Sequence, residues 1–284
     1  MAANSNSFTS VGKILKNFSP LKDKYISREF QKYGYDLAQA LGDLKNRSLY
    51  IKLAKEEPRP VLEKIKYEVL ESGRGNLGRL FMWKIGQYRW RKKLLTQRLP
   101  RSFLAVSPVK AAQALLGQVL VSVDKYETLR AGLITETEAY GGAYDLASHA
   151  RFGKKGRARI MWARPGTAYV YLIYGQHVMF NVVAHKKGQV GAVLIRSLKP
   201  LVGGGAKNKT DTRGPAKLTA FLKISLQSQG VDLVTSSSLW LAKGEKIRTE
   251  KIAAGPRVGV DYADSWALKP WRFWIKHSRY VSRA

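Results

Sequence analysis

The 284-residue chain contains no cysteine. Disulfides, thiolate nucleophiles, cysteine zinc sites and iron–sulfur clusters are therefore excluded together. Histidine is scarce, with four residues at positions 149, 177, 185 and 277 and no HExxH pattern, so a protein-held metal is not expected. No apolar run approaches the roughly 20 residues a membrane-spanning helix needs. The polar opening Met1-Ala2-Ala3-Asn4-Ser5 lacks the apolar stretch of a secretion signal. An intracellular, soluble protein is the expectation. Acidic residues are the other shortage: 20 Asp and Glu face 50 Lys and Arg, for a formal net charge of +30. The excess is spread along the chain, with 21 basic and 9 acidic residues in 1–100 and 29 against 11 in the remainder. Such a field attracts phosphate backbones and makes binding salt-sensitive, and charge alone nominates an acidic partner of no particular kind.

Hydrophobic residues make up 45% of the chain, enough for a substantial core. Residues 1–26 read as a flexible basic tail. From Ser27, Phe30, Tyr33, Leu37, Leu41 and Leu44 recur at three- and four-residue steps, followed by Leu49 and Leu53, then Val61, Ile65, Val69 and Leu70. Glu56-Glu57-Pro58-Arg59-Pro60 interrupts the series, because each proline disfavours helix at the residue before it. This spacing predicts a helical hairpin or pair of helices over 27–72, with a hinge at Ser72-Gly73-Arg74-Gly75-Asn76. Residues 79–98 interleave Arg79, Lys84, Arg89, Arg91, Lys92, Lys93 and Arg98 with Phe81, Trp83, Tyr88 and Trp90. That mixture suits nucleic acid and equally suits a basic linker helix packed through its aromatics. We place a helical, basic extension and linker at 27–100 and a catalytic domain at 101–284.

In the second region Pro108–Leu116 reads as helix, and Val119–Val123, Ala131–Thr137, Tyr169–Ile173, Phe180–Val183 and Ala192–Ile195 read as strands. Gly203 through Thr212 is a loop, Pro215–Lys223 looks helical and Val231-Asp232-Leu233 starts a short element. Pro256–Val260 and Arg272–Ile275 are expected to close the sheet. Strands outnumber helices here, giving an α+β fold: one catalytic domain around a curved mixed or antiparallel sheet with flanking helices.

The densest chemistry lies in Thr135-Glu136-Thr137-Glu138-Ala139-Tyr140, with His149 and Tyr169-Val170-Tyr171-Leu172-Ile173-Tyr174-Gly175 following. In strict alternation Ile134, Glu136 and Glu138 share one strand face. Glutamates two apart are ordinarily a solvated surface pair. Here Gly141-Gly142 follows at once, so the strand opens into a tight loop, a common place for catalytic groups, and Glu138 could act as a general base on water. Tyr140 and His149 are either core residues or the walls of a pocket that stacks a flat ring. Tyr174, before Gly175 at a turn, could project an aromatic tip into a duplex. Asn181 and Arg196 are weaker signals, readable as a turn residue and a strand-end charge. Gly153-Lys154-Lys155-Gly156-Arg157-Ala158-Arg159 is a basic loop without the GxxxxGK[ST] order of a nucleotide-binding loop. Its Lys154, Lys155, Arg157 and Arg159 could meet DNA phosphates. A carboxylate among aromatics in so basic a chain points to an enzyme acting on a nucleic-acid base. A non-catalytic DNA- or RNA-binding protein is the alternative.

In order, Ala114-Leu115-Leu116-Gly117, Glu136–Tyr140, Ala147-Ser148-His149-Ala150, Pro165–Gly175, Asn181-Val182-Val183, Val193–Arg196, Gly214–Leu218, Pro256–Gly259 and Lys269–Phe273 resemble the alkyladenine (3-methyladenine) DNA glycosylase family over about 102–276. The resemblance implies base-excision repair without metal or cofactor: an alkylated purine is flipped from double-stranded DNA and its N-glycosidic bond hydrolysed. It assigns water activation to Glu138, support of that water and carboxylate to Arg196, and the pocket to Tyr140, His149, Tyr171, Asn181 and Tyr169. Tyr174 becomes the wedge that replaces the extruded nucleotide. It further implies a monomer found with the DNA, and no lyase activity, since no lysine stands in the pocket motifs. The basic 154–159 loop and the glycine-rich 203–213 loop depart from the pattern, and residues 1–100 lie outside it.

Overall fold

A computed structural model describes residues 29–73, 75–203 and 210–282. The tail of residues 1–26, the hinge position Arg74 and most of the 203–213 loop lie outside these. The chain divides into two units at Tyr88/Arg89.

The first unit is helical: α1 (Glu29–Ala40), α2 (Arg47–Glu56), α3 (Arg59–Ser72) and the start of α4 (Leu77–Thr96). The proline break falls where the sequence places it, since α2 ends at Glu56 and Pro58 is extended ahead of α3. Pro60 sits in the first turn of α3, where its missing N–H has no helical partner to lose. The expected pair is thus three helices before α4, because the turn at Gly42-Asp43 divides the first periodic stretch. Leu37, Tyr50, Leu53, Leu62, Val69, Phe81 and Ile85 form the buried core, whereas Leu44, Leu49 and Leu70 face outward. Gly34 lets α1 and α2 meet closely, as a Cβ there would come 2.4 Å from Ile51 Cα.

The second unit is a sheet of eight strands, with every described pairing antiparallel: β1 (Val119–Val123), β2 (Leu129–Tyr140), β3 (Ala168–Ile173), β4 (His177–Val183), β5 (Ala192–Val202), β6 (Leu239–Ala242), β7 (Ile252–Gly255) and β8 (Arg272–Ile275). The order is β3-β4-β5-β2-β1-β6, and β8 joins the end of β2 and pairs with β7. It is an open α+β fold with helices flanking the sheet. The closing strand is Ile252–Gly255 rather than Pro256–Val260. Pro256 has no N–H for the ladder, so the chain leaves the sheet there and 256–260 becomes a loop carrying Arg257 and Val258. Asp232 makes only an isolated bridge, to Thr167.

Period-two alternation sorts the sheet into two faces. Val170, Phe180, Val182, Val193 and Ile195 pack on one side with Ala111, Ala112 and Leu115 of α5 (Pro108–Leu115) and Leu218 and Leu222 of α6 (Pro215–Leu222). Each buried Val, Ile, Leu or Phe among them contributes about 1.5–3 kcal/mol. Their neighbours Tyr169, Tyr171, Asn181 and Arg196 belong to the other face, under the turns His149–Phe152 and Gly156–Trp162. On β2 strict alternation fails. The register against β5 slips on both sides of Glu136, a bulge that resets the phase. Ile134 consequently lies in the core with Ala139, and the Thr137 hydroxyl donates to Ala112 O of α5 at 2.9 Å. Glu136 and Glu138 face the other way, without Ile134.

Candidate active site

The face opposite α5 and α6 carries a cavity of about 530 Å³, within the size range of small-ligand sites. Tyr140, His149, Tyr169, Tyr171, Asn181 and Arg196, drawn from five separate segments, line it together with Tyr174, Arg157 and Val258. Glu138 is fully buried and stands behind that lining. Three lining residues hold its carboxylate. The Tyr140 hydroxyl donates to Oε2 at 2.8 Å, and the Val258 N–H donates to Oε1 at 2.8 Å. Arg196 Nη1 lies 3.2 Å from Oε1. An ionised carboxylate offers about four acceptor positions. Hydrogen bonds take one position on each oxygen and the Arg196 ion pair covers Oε1, so the position left belongs to Oε2.

Burial, reinforced by Glu138, holds the Tyr140 phenol well above its usual pKa, so it remains a donor. Burial works against the charge on Arg196, but Glu138 and Glu136 outweigh it and keep the guanidinium firmly protonated. His149 sits at the start of its turn, where Ser148 caps the Ala150 N–H at 3.2 Å. Its Nδ1 is 2.7 Å from the Tyr169 hydroxyl, and its ring meets Tyr171 edge-on at 4.9 Å. Burial, then the charges of Arg157 and Arg151, lower the imidazole pKa to about 4, so it is neutral at pH 7. The Tyr171 phenol is pushed up to about 12, mainly by burial, and burial raises Tyr169 further. The walls are thus neutral aromatic rings with a neutral imidazole edge, suited to a flat heterocycle. Asn181 donates through Nδ2 to Tyr169 O at 3.1 Å, which fixes its amide at the sheet surface.

Tyr174 is 90% exposed at the tip of the β3–β4 hairpin. Its φ of 52° and the 68° of Gly175 form the turn closed by Gln176 N–H to Ile173 O at 3.1 Å. A left-handed tyrosine is unusual, and side chains held this way concentrate at functional sites. Lys154, Lys155, Arg157 and Arg159 are all exposed, and of the four only Arg157 lines the cavity, with its guanidinium 5.3 Å from the Tyr171 ring centre.

The match extends to whole proteins. A family model described as methylpurine-DNA glycosylase (MPG) covers residues 102–279. The chain belongs to that family. It is a DNA glycosylase of the methylpurine type, a hydrolase of DNA repair whose partner is DNA. A Myxococcus xanthus (strain DK1622) relative is 42% identical over 185 residues, which cover 65% of this chain and 93% of the relative. One from Anaeromyxobacter dehalogenans (strain 2CP-C) is 44% identical over 186 residues, 66% of this chain and 87% of the relative. A Legionella pneumophila (strain Corby) protein is 39% identical over 188 residues, 66% and 99% respectively. All three are named "Putative 3-methyladenine DNA glycosylase". No described helix of this glycosylase is long and apolar enough to cross a membrane.

Sequence reasoning missed several groups around the glycosylase site. Arg257 grips Asp145 through two bonds of 2.6 and 2.9 Å, and its guanidinium lies 5.0 Å from the Tyr140 ring centre and 5.2 Å from that of Trp271. Asp145 in turn accepts from Gly141 N–H at 2.8 Å, fixing the loop after β2. Val258 acts through its backbone, which no residue type announces. Glu136 was visible in sequence, yet the ordinary reading of a solvated glutamate pair is wrong: it is completely buried beside Arg196 and Arg272.

Proposed function

We propose that this glycosylase excises alkylated purines, 3-methyladenine and 7-methylguanine among them, from duplex DNA as a monomer and without metal or cofactor. The observation that carries the reading is the Glu138 carboxylate, buried beside the cavity with one acceptor position open on Oε2. A water there gives its proton to Glu138 as its oxygen bonds to C1′ of the sugar. The C1′–N bond breaks and its electron pair leaves with the purine. Alkylation at N3 or N7 makes that purine cationic beforehand, so it departs neutral and needs no separate acid. A cationic ring also favours the aromatic faces of Tyr140 and Tyr171. Arg196 holds the Glu138 carboxylate in place, and the developing oxocarbenium charge is offset by the same carboxylate.

Flipping follows from the outer parts. A lesion that pairs weakly leaves the stack at lower cost, and Tyr174, exposed on its rigid turn, fills the gap. Lys154, Lys155, Arg157 and Arg159 supply positive charge beside the opening, for the phosphates of the bent strand.

Release of free base from a panel of lesion-bearing duplexes tests the reading, with wild type and Glu138→Gln side by side. Wild type is expected to leave abasic sites. Glu138→Gln should lose about 10²–10⁴-fold in rate, the usual contribution of a general base, while still binding DNA. Binding without base release by the wild type, or normal turnover by the variant, would overturn it.

A further inference from the structure

Glu136 anchors a buried network that the proposed reaction does not itself use. Its Oε1 accepts from Arg196 Nε at 3.1 Å, Arg272 Nε at 2.7 Å and Ser282 Oγ at 2.8 Å. Its Oε2 accepts from Ser197 Oγ at 3.0 Å and from the Ser282 N–H at 2.6 Å. Ser282 closes the ring, because its Oγ also accepts from Arg196 Nη2 at 3.2 Å and its carbonyl accepts from Arg272 Nη2 at 3.2 Å. One serine hydroxyl can donate once and accept twice, so both roles of Ser282 Oγ are compatible. Burial works to raise the Glu136 pKa, but the Ser282 N–H, Arg196 and Arg272 outweigh it and hold the carboxyl below its usual range.

The consequence falls on Arg196. A guanidinium pairs most strongly with a carboxylate when two N–H groups face both oxygens. Here the edge made by Nε and Nη2 is taken by Glu136 and Ser282, and in that orientation Glu138 meets Nη1 alone. We infer that Glu136 and Ser282 are positioning residues: they hold Arg196 in a shared orientation that keeps it from pairing two-to-two with Glu138. This rests on Glu138 being the base. Without the anchor, Arg196 turns to Glu138, occupies Oε2 and makes the carboxylate a poorer base.

The charged and titratable groups facing Glu138 are Tyr140 and Glu136 on its own strand, Arg196 on β5 and Arg272 opposite it on β8. Tyr171 on β3 is electrostatically coupled to it, and Arg257, paired with Asp145, lies over the Tyr140 ring. Ser282→Ala removes the hydroxyl that accepts from Arg196 and donates to Glu136, touches no atom of Glu138, and leaves the backbone N–H bond to Glu136 in place. Glu136→Gln places an amide against the Ser282 N–H and can fail to fold, so Ser282 is the informative position.

The test is single-turnover base release across pH 4–9 by wild type, Ser282→Ala and Ser282→Thr, with DNA affinity and melting temperature measured on each. Ser282→Ala should slow release roughly tenfold at pH 7, the scale of one lost bond to a charged group. It should move the acid limb of the rate profile about one pH unit lower. DNA affinity should hold, and Ser282→Thr, which keeps the hydroxyl, should restore both rate and limb. An unchanged rate and limb in folded Ser282→Ala overturns the proposal. So does a slower rate with the limb in place and no rescue by threonine, which marks a purely structural role. Glu138→Gln run in the same series separates the two readings. Normal turnover there removes the base assignment itself, whereas an inactive Glu138→Gln beside an unaffected Ser282→Ala removes the positioning claim alone.

Discussion

In Met1–Tyr88, 16 Lys and Arg stand against 9 Asp and Glu, whereas Arg89–Ala284 holds 34 against 11. The acidic residues of the two units also differ in placement. In the helical unit they meet lysines and arginines at the surface, as in Lys52–Glu56, Lys64–Glu68, Lys84–Glu68 and Arg59–Glu29. Such pairs add little stability, commonly under about 1 kcal/mol each, but they neutralise the field. In the sheet unit Glu136, Glu138 and Asp145 are fully buried against arginines, while others, such as Asp211 with Arg213 and Lys217, pair nearer the surface. Most of the net positive charge belongs to the unit that holds the cavity. Part of the basic character read across 27–100 comes from residues 89–98, a stretch that holds Arg89, Arg91, Lys92, Lys93 and Arg98 and contains no Asp or Glu.

The contrast can be broken in several ways, beyond the loss expected of Glu138→Gln. Phe81→Ala removes a fully buried ring from the helical core and should cost about 3–5 kcal/mol there. Because the sheet has a core of its own, base release at 25 °C should persist. Thermal unfolding with a parallel activity assay checks this, and activity falling in step with helix content would show that the units are not energetically separate.

Acid sensitivity should reside in the sheet unit. The folded His149 pKa is about 4 against about 6.5 unfolded. Between these values the unfolded chain binds the extra proton, so stability is fully present above pH 6.5 and declines as pH falls toward 4. The loss is on the order of 2–3 kcal/mol, and denaturant titrations at pH 7 and pH 4.5 should show it in wild type and much less in His149→Gln.

Tyr174→Ala, at a fully accessible tip, should leave the melting temperature in place while weakening excision from duplex DNA by about 1–3 kcal/mol, the scale of a base–aromatic stack. Equal rates on duplex lesions would remove the wedge from the mechanism. The smallest effect concerns single charges. Lys154→Ala or Lys155→Ala should reduce the salt slope of DNA binding by about 1 each, while Lys52→Ala, whose partner is Glu56, should leave it unchanged. Equal slopes for all three would erase the electrostatic contrast between the units.

Much of the sheet and of the cavity wall was legible because their signals are local. The alternation of Tyr169, Val170 and Tyr171 sorted two tyrosines from a core valine, and the hairpin Tyr174-Gly175 marked its own turn. The ordered motifs brought Tyr140, His149, Asn181 and Arg196 to one cavity. The missed features have no local signature. A bulge at Glu136 is a property of two strands pairing, so the phase of β2 was misread. Asp145 and Arg257 lie 112 residues apart, and Ser282 reaches Glu136 across 146. Pro256 was counted in a strand because the apolar run hid its missing donor.

By itself, the sequence determined what is set by composition and by neighbours along the chain. The lack of cysteine removes thiolate chemistry, the basic excess selects a polyanion, prolines stop helices, and alternation gives each strand a wet and a dry face. Tertiary structure decided how each of two neighbouring carboxylates is held. Glu136 and Glu138 are alike in type, spacing and burial. Long-range pairing fills Glu136 with five bonds and leaves Glu138 one acceptor position. That difference arises only when β5, β8 and the Ser282 segment converge on β2, because a buried charge is defined by the partners that surround it.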